Sequence, residues 1–247
     1  MLYGIILSAD SDYAAQYSAV DTLETYDLAM ARDGFSVSAP KVRTEYKEVR
    51  GMDGVLDATD SPQGYPVFEN RIIKFKLFHV PPFQGWDIEQ YIQLRTEFMS
   101  AWQGKRIRIT LPDDMTRYWV GRLSVGDMED GNYLIECEAT VYPYKLKHEQ
   151  TSITVTDLTT SWKTYTLTNE RRYVVPTITI EQDTDIQFLQ GAVTVPPEIN
   201  LELPAGETSA SFQLPDALLI PGSNQFKAKL PASGTNSLTI TYREGTF

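Results

Sequence analysis

Glu48 to Phe78 reads EVRGMDGVLDATDSPQGYPVFENRIIKFKLF, and the change of pattern halfway along it decides the fold. In the first half Gly51, Gly54, Gly64, Pro62 and Pro66 punctuate the backbone, and the larger apolar side chains are Val55, Leu56, Val67 and Phe68. That is too little apolar surface for the segment to bury itself. In the second half Ile73, Phe75 and Leu77 alternate with Lys74 and Lys76, the period of two that marks a strand with one face on a core. An arm that cannot make its own core, tethered to a strand that belongs to one, is expected to be stabilised by another subunit. Val55, Leu56, Val67 and Phe68 are the candidates for that interface.

The segments on either side complete an antiparallel β domain with one helix. Residues 2 to 8 read as a first strand, whereas Tyr13 to Arg32 carries no pattern that assigns it. Ser36 to Val49 is extended, with Pro40 placing it at an edge or a bulge. The strand Arg71 to Val80 is closed by the proline pair at 81 and 82. Beyond it Asp87 can cap a helix, with Gln90 completing a capping box, and Ile88, Tyr91, Leu94, Phe98 and Trp102 form a stripe at helical spacing. Gly104 suits its C-terminal turn. The runs 106 to 111 and 117 to 125 and the alternation from Tyr133 to Val141 then make a meander with polar turns. Cys137 lies on the apolar side of the last run and reads as a small buried hydrophobe.

After Lys147 the helical period disappears. Short alternating runs recur at Ile153/Val155, Tyr165/Leu167, Ile178/Ile180, Ile199/Leu201/Leu203, Phe212/Leu214, Phe226/Ala228/Leu230 and Leu238/Ile240/Tyr242, separated by loops such as PAGETSA and PASGTNS. Seven or more short strands of this kind indicate a β-sandwich. The expected class is therefore mainly β, with domains at residues 1–147 and 148–247.

Charge and composition narrow the function. The net charge is −11, with 16 Lys and Arg against 22 Asp and Glu up to Lys147, and 6 against 11 beyond it. Such a surface repels phosphate, so nucleic-acid binding is not expected. One cysteine allows no disulfide within the chain, the N-terminus lacks the pattern of a signal peptide, and no apolar run reaches the length of a membrane span.

Catalytic constellations are not evident either. The two histidines, His79 and His148, have no partners at metal-ligand spacing, and neither a nucleophile elbow nor a phosphate-cradling glycine loop occurs. Asp113 and Asp114 read as solvated turn acids, because neighbours on a chain rarely face each other across a cleft. Asp127, Glu129 and Asp130 lack the spacing of a calcium loop. No catalytic, metal or cofactor-binding residue is expected, and the chain does not read as an enzyme. Trp162 and Tyr165 could form an aromatic platform for a sugar ring, although core packing is the commoner fate of such residues. A carbohydrate-binding adhesion module is the alternative reading.

Gly51-Met52-Asp53-Gly54-Val55-Leu56-Asp57-Ala58-Thr59 resembles the G-x-D-G-x-L-D-x-T signature of phage distal tail (Dit) proteins. Asn70-Arg71, Gly104-Lys105, Tyr118, Gly121-Arg122 and Pro143-Tyr144-Lys145 follow in the family's order. The likeness covers residues 25 to 147; the second domain matches in size, strand count and its ending, LTITYREG. The resemblance implies an N-terminal domain that forms a homo-hexameric ring and a galectin-like C-terminal sandwich. It further implies an arm that belts the neighbouring subunit and a place in the virion tail tip, after synthesis in the host cytoplasm. The partners it implies are the tail tube protein, the tail-associated (Tal) protein and a receptor-binding protein or side fibre, with DNA passing the lumen and no membrane insertion or cofactor. The galectin sugar-binding pattern is not found in this second domain, so sugar binding does not follow from the fold name.

Overall fold

The computed structural model describes residues 2–10, 19–60, 65–80, 88–126, 134–189, 198–232 and 237–247. Two compact units, Met1–Lys145 and Leu146–Phe247, divide the chain. The fold is mainly β in both.

In the first unit the elements in order are β1 (Ile6–Ala9), β2 (Val20–Asp21), α1 (Thr22–Tyr26), β3 (Leu28–Val37), β4 (Tyr46–Lys47), β5 (Leu56–Asp57), β6 (Arg71–His79), α2 (Ile88–Trp102), β7 (Arg106–Thr110), β8 (Arg117–Val125) and β9 (Leu134–Val141). Seven of the strands form one antiparallel sheet in the order β2-β1-β7-β8-β9-β6-β3. The alternation read at Ile73, Phe75 and Leu77 is the alternation of burial. These three are shut into the core, while Lys74 and Lys76 stand on the open face opposite Glu138 and Glu136 of β9. Tyr91, Phe98 and Trp102 of α2 pack with them, joined by Ile107, Ile109, Trp119, Leu123, Ile135 and Val141 from the other central strands. Burial of each large apolar side chain contributes about 1.5 to 3 kcal/mol, which is what holds a sheet closed on one side only by a helix. Cys137 belongs to this core, and burial raises its thiol pKa to about 12.

Several elements differ from expectation for physical reasons. Ile88 is exposed, so the buried stripe of α2 begins at Tyr91; Asp87, the expected cap, lies outside the described residues. A second, five-residue helix, α1, stands in the stretch that carried no pattern. It is started by Asp21, whose carboxylate accepts from the Leu23 amide at 2.8 Å, and ended by Asp27 in the left-handed conformation. The first strand is Ile6–Ala9, later than residues 2 to 8. Regular pairing in the expected extended run 36 to 49 is confined to the end of β3, an isolated bridge at Val42 and the short β4. β3 itself escapes period-two reading because its register against β6 slips between Met30 and Phe35.

In the second unit β10 (Lys145–Lys147) begins at the boundary and is followed by β11 (Thr151–Val155), β12 (Lys163–Asn169), β13 (Thr177–Ile180), β14 (Thr184–Leu189), β15 (Ile199–Leu201), β16 (Ala210–Gln213), β17 (Gly222–Lys229), β18 (Leu238–Tyr242) and β19 (Gly245–Thr246). Eight of them, β11 to β18, build two four-stranded antiparallel sheets, β11-β18-β13-β16 and β12-β17-β14-β15. One core serves both sheets: Ile178, Ile180, Leu238 and Ile240 come from the first, Leu167, Ile186, Phe226 and Ala228 from the second. This is a β-sandwich. All seven expected runs contribute to it, and β14 is an eighth, central strand that sequence alternation had not singled out.

Candidate assembly surface

The arm between β3 and β6 is an antiparallel hairpin, tied at its root by the Val42 and Phe68 bridge, by the Arg43 amide donating to the Val67 carbonyl at 2.7 Å and by the Glu69 amide donating to the Lys41 carbonyl at 2.9 Å. Further out β4 pairs with β5, Tyr46 opposite Asp57 and Lys47 opposite Leu56. The chain then turns through Gly51 and Gly54, whose φ of 85° and 82° lie in the region where a side chain is strained. Asp57 accepts from the Thr59 amide at 3.0 Å, and the Thr59 hydroxyl in turn accepts from the Glu45 amide at 3.1 Å. Hydrogen bonds from the Thr59 side chain and then its amide lower the Asp57 pKa. The G-x-D-G-x-L-D-x-T stretch is thus a set of backbone devices that shape a projecting turn.

What the turn projects is apolar. Tyr46, Val49, Met52, Val55, Leu56 and Val67 are each between 36% and 58% exposed. Of the four interface candidates, Val55 and Leu56 stand open near the tip and Val67 near the root. Phe68 is half-buried and meets Tyr144 edge-on at 6.1 Å, so it anchors the arm to its own unit. Tyr46, Val49 and Met52 belong to the same exposed surface and were missed: Tyr46 lies before the glycine-rich stretch, on the strand that pairs with it, and Val49 and Met52 lie within the stretch and were passed over. A soluble monomer rarely gathers large apolar side chains on a segment with no core of its own.

The other residues of the resemblance have structural tasks. Arg71 is buried, donates Nε–H to the Ser38 carbonyl at 2.6 Å and lies 4.8 Å over the Trp119 ring, with burial lowering its pKa. Gly104, at φ 69°, ends α2 in the left-handed conformation. A Cβ at Gly121 would stand 2.2 Å from the Thr140 carbonyl, so β8 and β9 approach here only because the side chain is missing. Lys145 is buried and paired with Asp113 at 2.7 Å.

Asp113 and Asp114 are the counter-ions of a turn. Asp114 accepts from the Thr116 hydroxyl at 2.6 Å, the Thr116 amide at 3.0 Å and Arg117 at 3.1 Å. Led by the Thr116 hydroxyl, these bonds hold its pKa down to about 2. Among the described residues no group of three or more His, Cys, Asp or Glu could hold a metal; Asp127, Glu129 and Asp130 lie outside them. No helix among the described residues is long and apolar enough to cross a membrane.

Trp162 and Tyr165 are not brought together as one platform. Tyr165 shares the core-facing parity of β12 with buried Leu167, stacks on Phe226 at 5.2 Å and donates its hydroxyl to Asp157 at 3.0 Å. Burial and the Asp157 carboxylate push its pKa up to about 12. Trp162 belongs to the opposite side, where the Lys229 ammonium lies 4.6 Å over its ring and pairs with Asp185 and Glu198.

No protein-family model and no curated relative matches the sequence. Among solved structures, the crystal structure of the Dit protein (gp 19.1) of phage SPP1 is similar to this chain. That protein is described as a paradigm of the hub adsorption apparatus in phages infecting Gram-positive bacteria. The two are 15% identical and superpose with a TM-score of 0.54 over 97% of this chain and 98% of the other. At that identity the likeness concerns the fold: the resemblance carried by the arm and its flanking motifs is matched by a Dit fold across nearly the whole chain.

Proposed function

We propose that this chain is the structural hub subunit of a bacteriophage or prophage tail tip. Six copies close into a ring between the tail tube protein and the tail-associated protein, and the ring carries the receptor-binding protein or side fibre used in host adsorption. The hairpin arm of each copy lies on the next, with Val55, Leu56 and Val67 in the contact and Phe68 holding the root, while the second unit is a galectin-like sandwich. Head-to-tail contacts that close by rotation give a ring and leave no arm uncovered.

The single observation that carries this reading is the arm: a hairpin with large exposed apolar side chains and no core of its own, on a fold shared end to end with the SPP1 Dit protein. The charge of −11 supports a lumen past which DNA moves without sticking. A chain of this kind acts by assembly and needs no catalytic or cofactor site. The test is the quaternary state of the purified protein and of tails that contain it, read by native mass spectrometry and electron microscopy. Rings of six copies are expected; a strict monomer at high concentration together with tails that lack such a ring contradicts the reading.

A further inference from the structure

β7 and β8 pair so that Arg106 stands directly opposite Arg122 on the open face of the first unit's sheet. Like charges placed across a strand pair are unfavourable unless an anion joins them. Asp10 serves Arg106 at 2.7 Å and Arg108 at 3.2 Å, one carboxylate for two guanidiniums. Among the described residues Arg122 pairs with no carboxylate, and its Nη1 donates to the Gly104 carbonyl at 3.0 Å. The two arginines flank a recess of about 210 Å³ whose other walls are Asn70, Val120, Gly121, Thr140 and Tyr142. In register with Arg122 across β9 and β6 lie Thr140 and then Ile72, and both Ile72 and Tyr142 are exposed apolar side chains. The face thus offers positive charge with hydrogen-bonding side chains, beside an uncovered apolar strip.

From this geometry we infer that the recess receives the arm tip of a second copy of this chain, with the Asp53 carboxylate between Arg106 and Arg122 and with Met52, Val55 and Leu56 on Ile72 and Tyr142. This rests on the proposed function and names the acceptor surface it requires. The tip has the complementary character. Residues 48 to 60 carry four carboxylates and one arginine, and Met52, Val55 and Leu56 are open. Asp57 is engaged by Thr59, whereas Asp53 is exposed and has no partner among the described residues.

In the structure the arm tip does not fill the chain's own recess, whose lining holds no residue of 48 to 60. Asn70, on the rim, is next to the root of the arm, and ten extended residues at roughly 3.3 Å each carry the tip up to about 30 Å from Val42. A nucleic-acid strand is a poor occupant, because a chain of net charge −11 repels a run of phosphates, while a single carboxylate needs only the two arginines.

The decisive experiment exchanges the charges. Arg122→Asp and Asp53→Arg each raise the concentration needed for ring formation at least tenfold, with circular dichroism and Tm unchanged. Mixed in equal amounts they restore rings, because each arm then meets an opposite charge on alternate copies. Arg122→Gln, which keeps bulk and removes charge, gives a smaller loss and covers the case in which Arg122→Asp fails to fold. Single variants that assemble like the parent, or a mixture that fails to recover, overturn the inference. Substituting Val49, Met52, Val55 and Leu56 by Ser keeps the two questions apart. If it abolishes rings while Arg122→Asp does not, the arm reading stands and this acceptor is wrong; if it leaves rings intact, the arm reading itself fails.

Discussion

At the scale of single residues, the motif positions act through backbone geometry more than through chemistry. Gly121 is the clearest case. Ala at this position places a methyl 2.2 Å from the Thr140 carbonyl in the middle of a central strand pair, with the Val141 backbone 2.6 Å away. Gly121→Ala is expected to destabilise the first unit by about 2 to 3 kcal/mol, the usual cost of overpacking, read by chemical denaturation. Asp114 gives a prediction with a pH signature. Its folded pKa of about 2 lies below the ordinary value of 3.8, so its contribution is fully present above pH 4 and lost as pH falls through 2. Asp114→Asn therefore costs about 1 to 2 kcal/mol at pH 7, after allowance for partial exposure, and the difference from the parent shrinks below pH 4 and is mostly gone at pH 2. Equal destabilisation at pH 7 and pH 2 contradicts the assignment. None of this detail was visible in the sequence, because both effects depend on partners that the fold supplies.

At the scale of elements, legibility follows periodicity. The α2 stripe at Tyr91, Phe98 and Trp102, the strands β6 and β9 and the second half of β8 were readable because each buries one face and leaves the other in water. β14 was not, although Thr184, Ile186 and Phe188 alternate into the core, because Asp183 and Asp185 make the run look like a turn. α1 is too short for a helical period to show, and the slipped register of β3 erases its alternation. The arm was legible for the opposite reason: its density of glycine and proline and its few apolar residues announced a segment without a core. Arg106 and Arg122 could not be paired from sequence, since their juxtaposition depends on the register of β7 against β8. Because the apolar residues of the arm tip are exposed, their replacement by Ser should leave the isolated chain within about 0.5 kcal/mol of the parent while removing its self-association. A large loss of stability in the monomer would place those side chains in the chain's own core instead.

At the scale of the whole molecule, two β units with separate cores account for the chain's ability to fold, and the uncovered arm is the surface that the proposed ring would cover. Removing the six large exposed apolar side chains of one arm from water supplies about 1.5 to 3 kcal/mol for each that becomes fully buried, enough across several subunits to make a closed ring far more stable than any open fragment. The acidic surface works against this by self-repulsion, so assembly should tighten as ionic strength rises from low values, up to the point where the Asp53 and arginine contact is itself screened. The most direct measurement is the mass of the assembled species formed by the purified chain, followed from dilute to concentrated solution and compared with the Val49, Met52, Val55 and Leu56 to Ser variant. The account predicts a six-fold closed ring for the parent and a folded monomer for the variant; a parent that stays monomeric at every concentration and in assembled tails, or a variant that forms the same rings, contradicts it.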